Sequence, residues 1–136
     1  SKLDFLKNWE NKNIVLPSKF EFPKDNSTQI YLLDKEGASQ SYILMGHKSD
    51  SYDANGINFQ SQIMNKSLGG GASGRLFLNL REDKGYTYGA YSFFQGDKNT
   101  GLFGIQTSVK TEVTDSALTE IFNILDDYVK LHYDET

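Results

Sequence analysis

Residues 68–92 read LGGGASGRLFLNLREDKGYTYGAYS, and the punctuation of this window sets the order of the elements around it. Gly69-Gly70-Gly71 closes one helical pattern, and Ser73 is a capping residue for the next. Leu76, Phe77 and Leu80 follow at helical spacing, so a helix is expected over 74–84, with Gly85 just past its C-terminus. From Tyr86 the composition turns aromatic and the stretch 86–94 reads as a strand.

Upstream, residues 52–68 follow helical spacing. Ala54, Ile57, Ile63, Met64 and Leu68 make one broad apolar face, Asn55, Asn58 and Lys66 lie outside it, and Asp50 and Ser51 stand as caps. Further back, Ile30-Tyr31-Leu32-Leu33 and Tyr42-Ile43-Leu44-Met45 are short apolar runs joined through Lys35-Glu36-Gly37. They read as strands 29–34 and 40–47 of a first hairpin. Downstream, the turn formers at 95–101 join strand 86–94 to strand 102–109 in a second hairpin. Leu118, Ile121, Phe122, Leu125, Tyr128 and Val129 mark a last helix that opens near 112–115. The expected order is β-β-α-α-β-β-α. This is an α+β domain: a mostly antiparallel sheet of about four strands in two hairpins, with helices packed on one face. Residues 1–28 hold both prolines, Pro17 and Pro23, and a short amphipathic turn of Leu3, Phe5, Leu6 and Trp9; they read as a lead-in to a domain at 29–136.

Composition narrows the function. A chain of 136 residues suits one domain with its own core. Fourteen Lys and Arg against eighteen Asp and Glu give a net charge of -4, which argues against a nucleic-acid binder. The absence of cysteine excludes a disulfide framework, thiolate-held zinc and thiol catalysis, and is compatible with either side of a cell membrane. No apolar run approaches the roughly 20 residues of a membrane span. His47 and His132 are the only histidines and lie far apart, so no His-Glu-x-x-His or inverted pair exists. His47 reads as a polar strand-end residue and His132 as a cation closing the last helix. A phosphate-loop reading of residues 69–75 fails, because this turn follows a helix and lacks the Gly-Lys-Ser/Thr ending.

What remains is Arg81 in the last turn of a helix and Tyr88 at the start of a strand, with Gly85 reversing the chain between them. A guanidinium and a phenol converging at one rim of the sheet make a pair of hydrogen-bond donors suited to a peptide carbonyl or its oxyanion. The bland alternative is that Arg81 pairs with Glu82 or another acid while Tyr88 packs.

The window closely resembles the signature of the M16 family of zinc metallopeptidases, the group of pitrilysin, insulin-degrading enzyme and mitochondrial processing peptidase. The matching residues are Leu68-Gly69-Gly70-Gly71, Ser73-Gly74-Arg75-Leu76, Leu80-Arg81-Glu82, Gly85, Tyr88 and Tyr91-Ser92. Gly37-Ala38-Ser39-Gln40, Gly46-His47 and Thr107-Ser108 agree in order, so the resemblance runs from residue 28 to residue 131. It implies a C-terminal-type domain of a peptidase that hydrolyses peptides or unfolded polypeptides. By the same resemblance, Arg81 and Tyr88 match the arginine–tyrosine pair that holds the substrate backbone and stabilises the tetrahedral intermediate. Gly69, Gly70 and Gly71 match a substrate-contacting glycine loop. The zinc motif of the family is missing from these residues, so zinc is expected on another domain or partner subunit, with none bound by this chain and no activity by the chain alone. Two other readings stand beside this one: a noncatalytic structural or partner subunit of the same fold, and an unrelated α+β module that binds anions at the glycine turn.

Overall fold

The computed structural model describes residues 2–8, 10, 13–15 and 27–131. Trp9, Pro17, Pro23 and His132 lie outside the described residues. A 3-10 turn at Asp4–Asn8 opens the chain, exposed throughout. The domain then runs β1 (Gln40–Ser49), α1 (Ile57–Leu68), α2 (Arg75–Phe77), a π-helical turn (Leu78–Asp83), β2 (Thr87–Gly96), β3 (Gly101–Lys110) and α3 (Thr114–Leu131). A 3-10 turn at Thr111–Val113 leads into α3.

Among the described residues the sheet has three antiparallel strands in the order β1-β3-β2, where the sequence suggested about four. The second hairpin forms as expected, with Gly96 opposite Gly101 at its closed end. The first does not. Its turn is present, with Gly37 at φ 73° and the Ala38 amide donating to the Lys35 carbonyl at 3.1 Å. Residues 30–33 nonetheless join no ladder, and Ile30, Tyr31, Leu32 and Leu33 are between 83% and 93% exposed. An apolar run signals a strand only where a neighbour supplies hydrogen bonds and cover. Here β1 takes its partner from β3 instead, with Ile43 opposite Thr107 and Met45 opposite Ile105.

Alternation along the strands decides the layers. Ile43, Phe103, Ile105, Val109 and Ala90 point to one face and are buried; Tyr42, Leu44 and Leu102 point to the other and are exposed. The helices close only the first face. Leu76 and Leu80 enter from α2 and the π turn, and Ala117, Ile121, Ile124 and Tyr128 from α3. Arg75 lies over the Tyr128 ring, 5.4 Å from its centroid, and the Tyr128 hydroxyl donates to the Met64 carbonyl at 2.8 Å, so α3 is tied to both other helices.

The first long helix departs from its sequence pattern in two ways. It begins at Ile57 rather than near Tyr52, and of the apolar face read from the spacing only Leu68 lies inside. Ile57, Ile63 and Met64 are exposed, whereas Asn58, Asn65 and Leu68 are buried. The reason is chemical. At Asn65 this helix meets the backbone of β2, and an amide side chain there satisfies a strand carbonyl that an apolar one would leave unpaired.

At the β2–β3 turn a single Asp97 carboxylate oxygen accepts from the amides of Asn99 at 2.7 Å and Thr100 at 2.8 Å. These two bonds, Asn99 first, hold the Asp97 carboxyl below its usual range. The charged form is the one the fold favours, so its contribution is complete at neutral pH and fades as pH falls through the lowered folded pKa. Titration of the Asn99 and Thr100 amide proton shifts should therefore give a midpoint below 3.8, and Asp97→Asn should abolish the transition.

Candidate active-site face

Arg81 and Tyr88 are brought together by two local irregularities on either side of one glycine. The helix carrying Arg81 widens into a π turn, with the Lys84 amide donating to the Asn79 carbonyl at 2.9 Å, five residues back. Gly85, at φ 64°, then reverses the chain, a left-handed conformation that favours glycine. The Tyr86 amide returns to the Leu80 carbonyl at 2.9 Å, and Leu80 is fully buried beneath the turn. Glu120 of α3 braces the outside. Its carboxylate accepts from Asn79 Nδ2 at 3.0 Å and faces Lys84 Nζ at 3.4 Å, so both flanks of Arg81 are tied to one side chain.

Tyr88 sits at a β-bulge. Thr87 stands opposite Val109 and Ala90 opposite Thr107, so Tyr88 and Gly89 share the single place facing Ser108. Bulges re-aim side chains, and π turns inside helices recur at functional sites. The outcome is that the Arg81 guanidinium carbon lies 5.5 Å from the centroid of the Tyr88 ring, with Tyr88 83% exposed. Among the described residues no ion pair joins Arg81 to Glu82 or to any other acid, and the Tyr88 hydroxyl has no hydrogen-bond partner. A stacked cation and ring at an exposed position contribute only about 0.5–1 kcal/mol. The donors of both groups are left open to a third party.

The glycine turn is built differently. The Gly69 and Gly70 amides both donate to the Asn65 carbonyl, at 3.0 and 2.8 Å, which occupies the donors an anion would need. The Gly69 carbonyl accepts from the Ser92 amide at 2.9 Å, Asn65 Nδ2 donates to the Ser92 carbonyl at 2.8 Å, and the Ser92 hydroxyl donates back to the Asn65 side-chain oxygen. A methyl group on Gly69 would come within 2.5 Å of the Ser92 hydroxyl, and one on Gly74 within 2.8 Å of the Gly69 α-carbon. Around Gly71 nothing lies within 4 Å. Gly69 is thus spent on packing, Gly70 is half-buried against α1, and Gly71 stands open. Ser92 is four residues along β2 from Tyr88, so the turn and the pair occupy different stations on one strand, roughly 13 Å apart at strand spacing.

His47 lies elsewhere, its Nδ1 2.6 Å from the Lys48 carbonyl and its ring 5.1 Å from that of Phe103. Among the described residues no group of three or more His, Cys, Asp or Glu side chains is placed to hold a metal ion, and no helix is long and apolar enough to cross a membrane. Sequence reasoning missed Asn65, Thr87, Thr107 and Glu120. The signal for the bulge was there in Gly89, a glycine inside an otherwise aromatic strand.

Residues 2–135 match the family profile described as the peptidase M16 inactive domain. The chain belongs to the M16 peptidase family. Over 74 residues this M16 domain is 32% identical to a Bacillus subtilis (strain 168) protein described as an uncharacterized zinc protease, YmxG, covering 54% of this chain and 18% of that one. Over 43 residues it is 46% identical to the uncharacterized zinc protease SCO5738 of Streptomyces coelicolor, covering 32% and 9%. Among solved structures it resembles the peptidase M16 inactive domain from Pseudomonas fluorescens with a TM-score of 0.61 and 27% identity, covering 68% of this chain and 23% of that one. A conserved protein from Enterococcus faecalis V583 is similar, with a TM-score of 0.56, 26% identity, and 68% and 21% covered. The M16 domain therefore spans less than a quarter of each of these relatives.

The glycine geometry separates packing from availability. Gly69→Ala is expected to destabilise this M16 domain by about 1–3 kcal/mol through the overlap with Ser92 and Leu76, whereas Gly71→Ala should stay within about 0.5 kcal/mol. Urea midpoints of the two variants check both values.

Proposed function

We propose that this chain is the domain of an M16 zinc peptidase that supplies Arg81 and Tyr88 to a peptide-hydrolysing site whose zinc is held by another domain of the parent protein or by a partner subunit. The observation that carries the reading is the Arg81–Tyr88 pair itself, a guanidinium over an exposed phenol with no carboxylate paired to it among the described residues. A buried or ion-paired arginine would be structural. An unpaired one beside a free phenolic hydroxyl is a set of donors awaiting an acceptor.

The acceptor that fits is the backbone carbonyl of an extended or unfolded polypeptide. Arg81 offers several N–H donors in one plane, and the Tyr88 ring fixes that plane. Tyr88 adds an O–H beside it. As a carbonyl becomes tetrahedral its oxygen gains charge, and donors already in place strengthen their bonds without reorganising. Gly71, open beside the glycine turn, leaves room for a substrate backbone to approach. Among the described residues no cluster of side chains makes a zinc site.

A noncatalytic partner subunit of the same fold would keep Asn65, Ser92 and Gly69 and have no use for an unpaired Arg81. The anion-binding alternative is disfavoured because the Gly69 and Gly70 amides are already bonded to Asn65.

In the assembled peptidase, Arg81→Ala and Tyr88→Phe should each lower kcat by about 10²–10³-fold, the usual loss for one oxyanion donor, with stability changed by no more than about 1 kcal/mol. Unchanged turnover in both variants would leave the partner-subunit reading in its place. The 136-residue chain alone is expected to retain no stoichiometric zinc after dialysis and to cleave no unfolded polypeptide until the zinc-bearing domain is added.

A further inference from the structure

We infer that Thr87 and Thr107 are positioning residues for Tyr88: their buried hydroxyls hold open the bulge that turns the phenol outward. This rests on the role proposed above for Tyr88, and it concerns residues that touch neither substrate nor metal.

A bulge breaks the ladder where it inserts its extra residue. Two residues of β2 share one place opposite Ser108, so the backbone groups of Gly89 and Ser108 lose their regular ladder partners. Two threonine side chains take over, 7% and 3% exposed. The Thr87 hydroxyl donates to the Ser108 carbonyl at 2.7 Å and accepts from the Gly89 amide at 3.1 Å. The Thr107 hydroxyl reaches the Gly89 carbonyl at 3.0 Å and stands 3.0 Å from the Thr87 oxygen. With one proton on each hydroxyl, donation from Thr87 to Ser108 and from Thr107 to Gly89 satisfies every backbone group named.

The register shows what the hydroxyls prevent. If the bulge closed and pairing continued regularly from Ala90 opposite Thr107, Tyr88 would face Val109, which is fully buried on the helix-covered side. Side chains alternate with a period of two, so one residue of slip moves Tyr88 from the solvent face to the core face and sends Thr87 the other way. Valine has the shape of threonine and can serve the core but not the bulge. Thr87 and Thr107, diagonal to one another across β2 and β3, are small enough to bury and polar enough to bond the backbone groups at the bulge.

The test uses the full-length parent peptidase together with its zinc-bearing domain. Thr87→Val should lower kcat about 10–100-fold with KM changed less than about twofold, since misplacement of a catalytic group by an ångström has effects of that size. Thr87→Ser, which keeps the hydroxyl, should recover kcat to within about twofold. In a Tyr88→Phe background the same Thr87→Val change should cost less than about twofold more, because the group it positions is already gone. Should Thr87→Val fold poorly, Thr107→Val, which leaves the Thr87 bonds to Ser108 and Gly89 in place, should lower kcat and Tyr88 nitration by a smaller factor, and native values of both would overturn the role. A readout independent of activity is nitration of Tyr88 by tetranitromethane, mapped by mass spectrometry. Exposed in the native protein, Tyr88 should nitrate several-fold more slowly in Thr87→Val and at the native rate in Thr87→Ser. If nitration and kcat of Thr87→Val match the native protein, or if the kcat loss is as large without the Tyr88 hydroxyl as with it, the positioning role is overturned. If Tyr88→Phe leaves kcat intact, the proposed function falls, and the nitration rates alone decide whether these hydroxyls aim the ring.

Discussion

The amide–hydroxyl exchange between Asn65 and Ser92 joins the helical layer to the sheet at one buried point. Asn65 gives a proton to the Ser92 carbonyl and takes one from its hydroxyl, and the Ser92 amide closes the set on the Gly69 carbonyl. Three polar groups of a strand, and the end of a helix, are satisfied together. Buried polar sets of this kind are favourable only when complete, which ties α1, the glycine turn and β2 to a single mutual arrangement. Gly69 must lack a side chain for the approach to be possible, and Gly74 must lack one for the next helix to start against it.

From that anchor β2 runs back to Thr87, and the chain before it runs back through Gly85 to the π turn. Each of the two irregularities adds a residue to an otherwise regular element. A regular α-helix would rotate Arg81 by about 100° relative to its neighbours for each residue gained or lost, and a regular strand would turn Tyr88 inward. Both adjustments are braced by other elements, the π turn by Glu120 of α3 and the bulge by Thr107 of β3. The pair is therefore weakly held by its own stacking and firmly held by what lies beneath it.

That division suits a family in which one kind of domain is described as inactive. A domain whose described residues form no metal site can still present hydrogen-bond donors at its surface. The exposed run at residues 30–33 and the open outer face of the sheet, with Tyr42 and Leu44, belong to a chain that spans only a small part of its relatives.

The α+β class, the second hairpin, the terminal helix and the 68–92 signature were all legible in the sequence, because each depends on local chemistry: turn formers at 95–101, a 3.6-residue apolar period after Thr114, glycines at helix ends. The candidate pair was legible only as two residue types at a suggestive spacing. That Arg81 has no acidic partner among the described residues and lies on Tyr88 is a property of three-dimensional neighbours. Tertiary structure alone decided three further matters. The run at 30–33 is no strand, because a ladder requires a second chain segment in register, and β1 meets β3. Asn65 lies on the inner face of α1 because it meets the carbonyl and hydroxyl of Ser92 on β2. Tyr88 faces outward because Thr87 beside it and Thr107 across the sheet replace the hydrogen bonds of one missing rung, and no pattern read along the chain encodes which hydroxyl will find which carbonyl across a sheet.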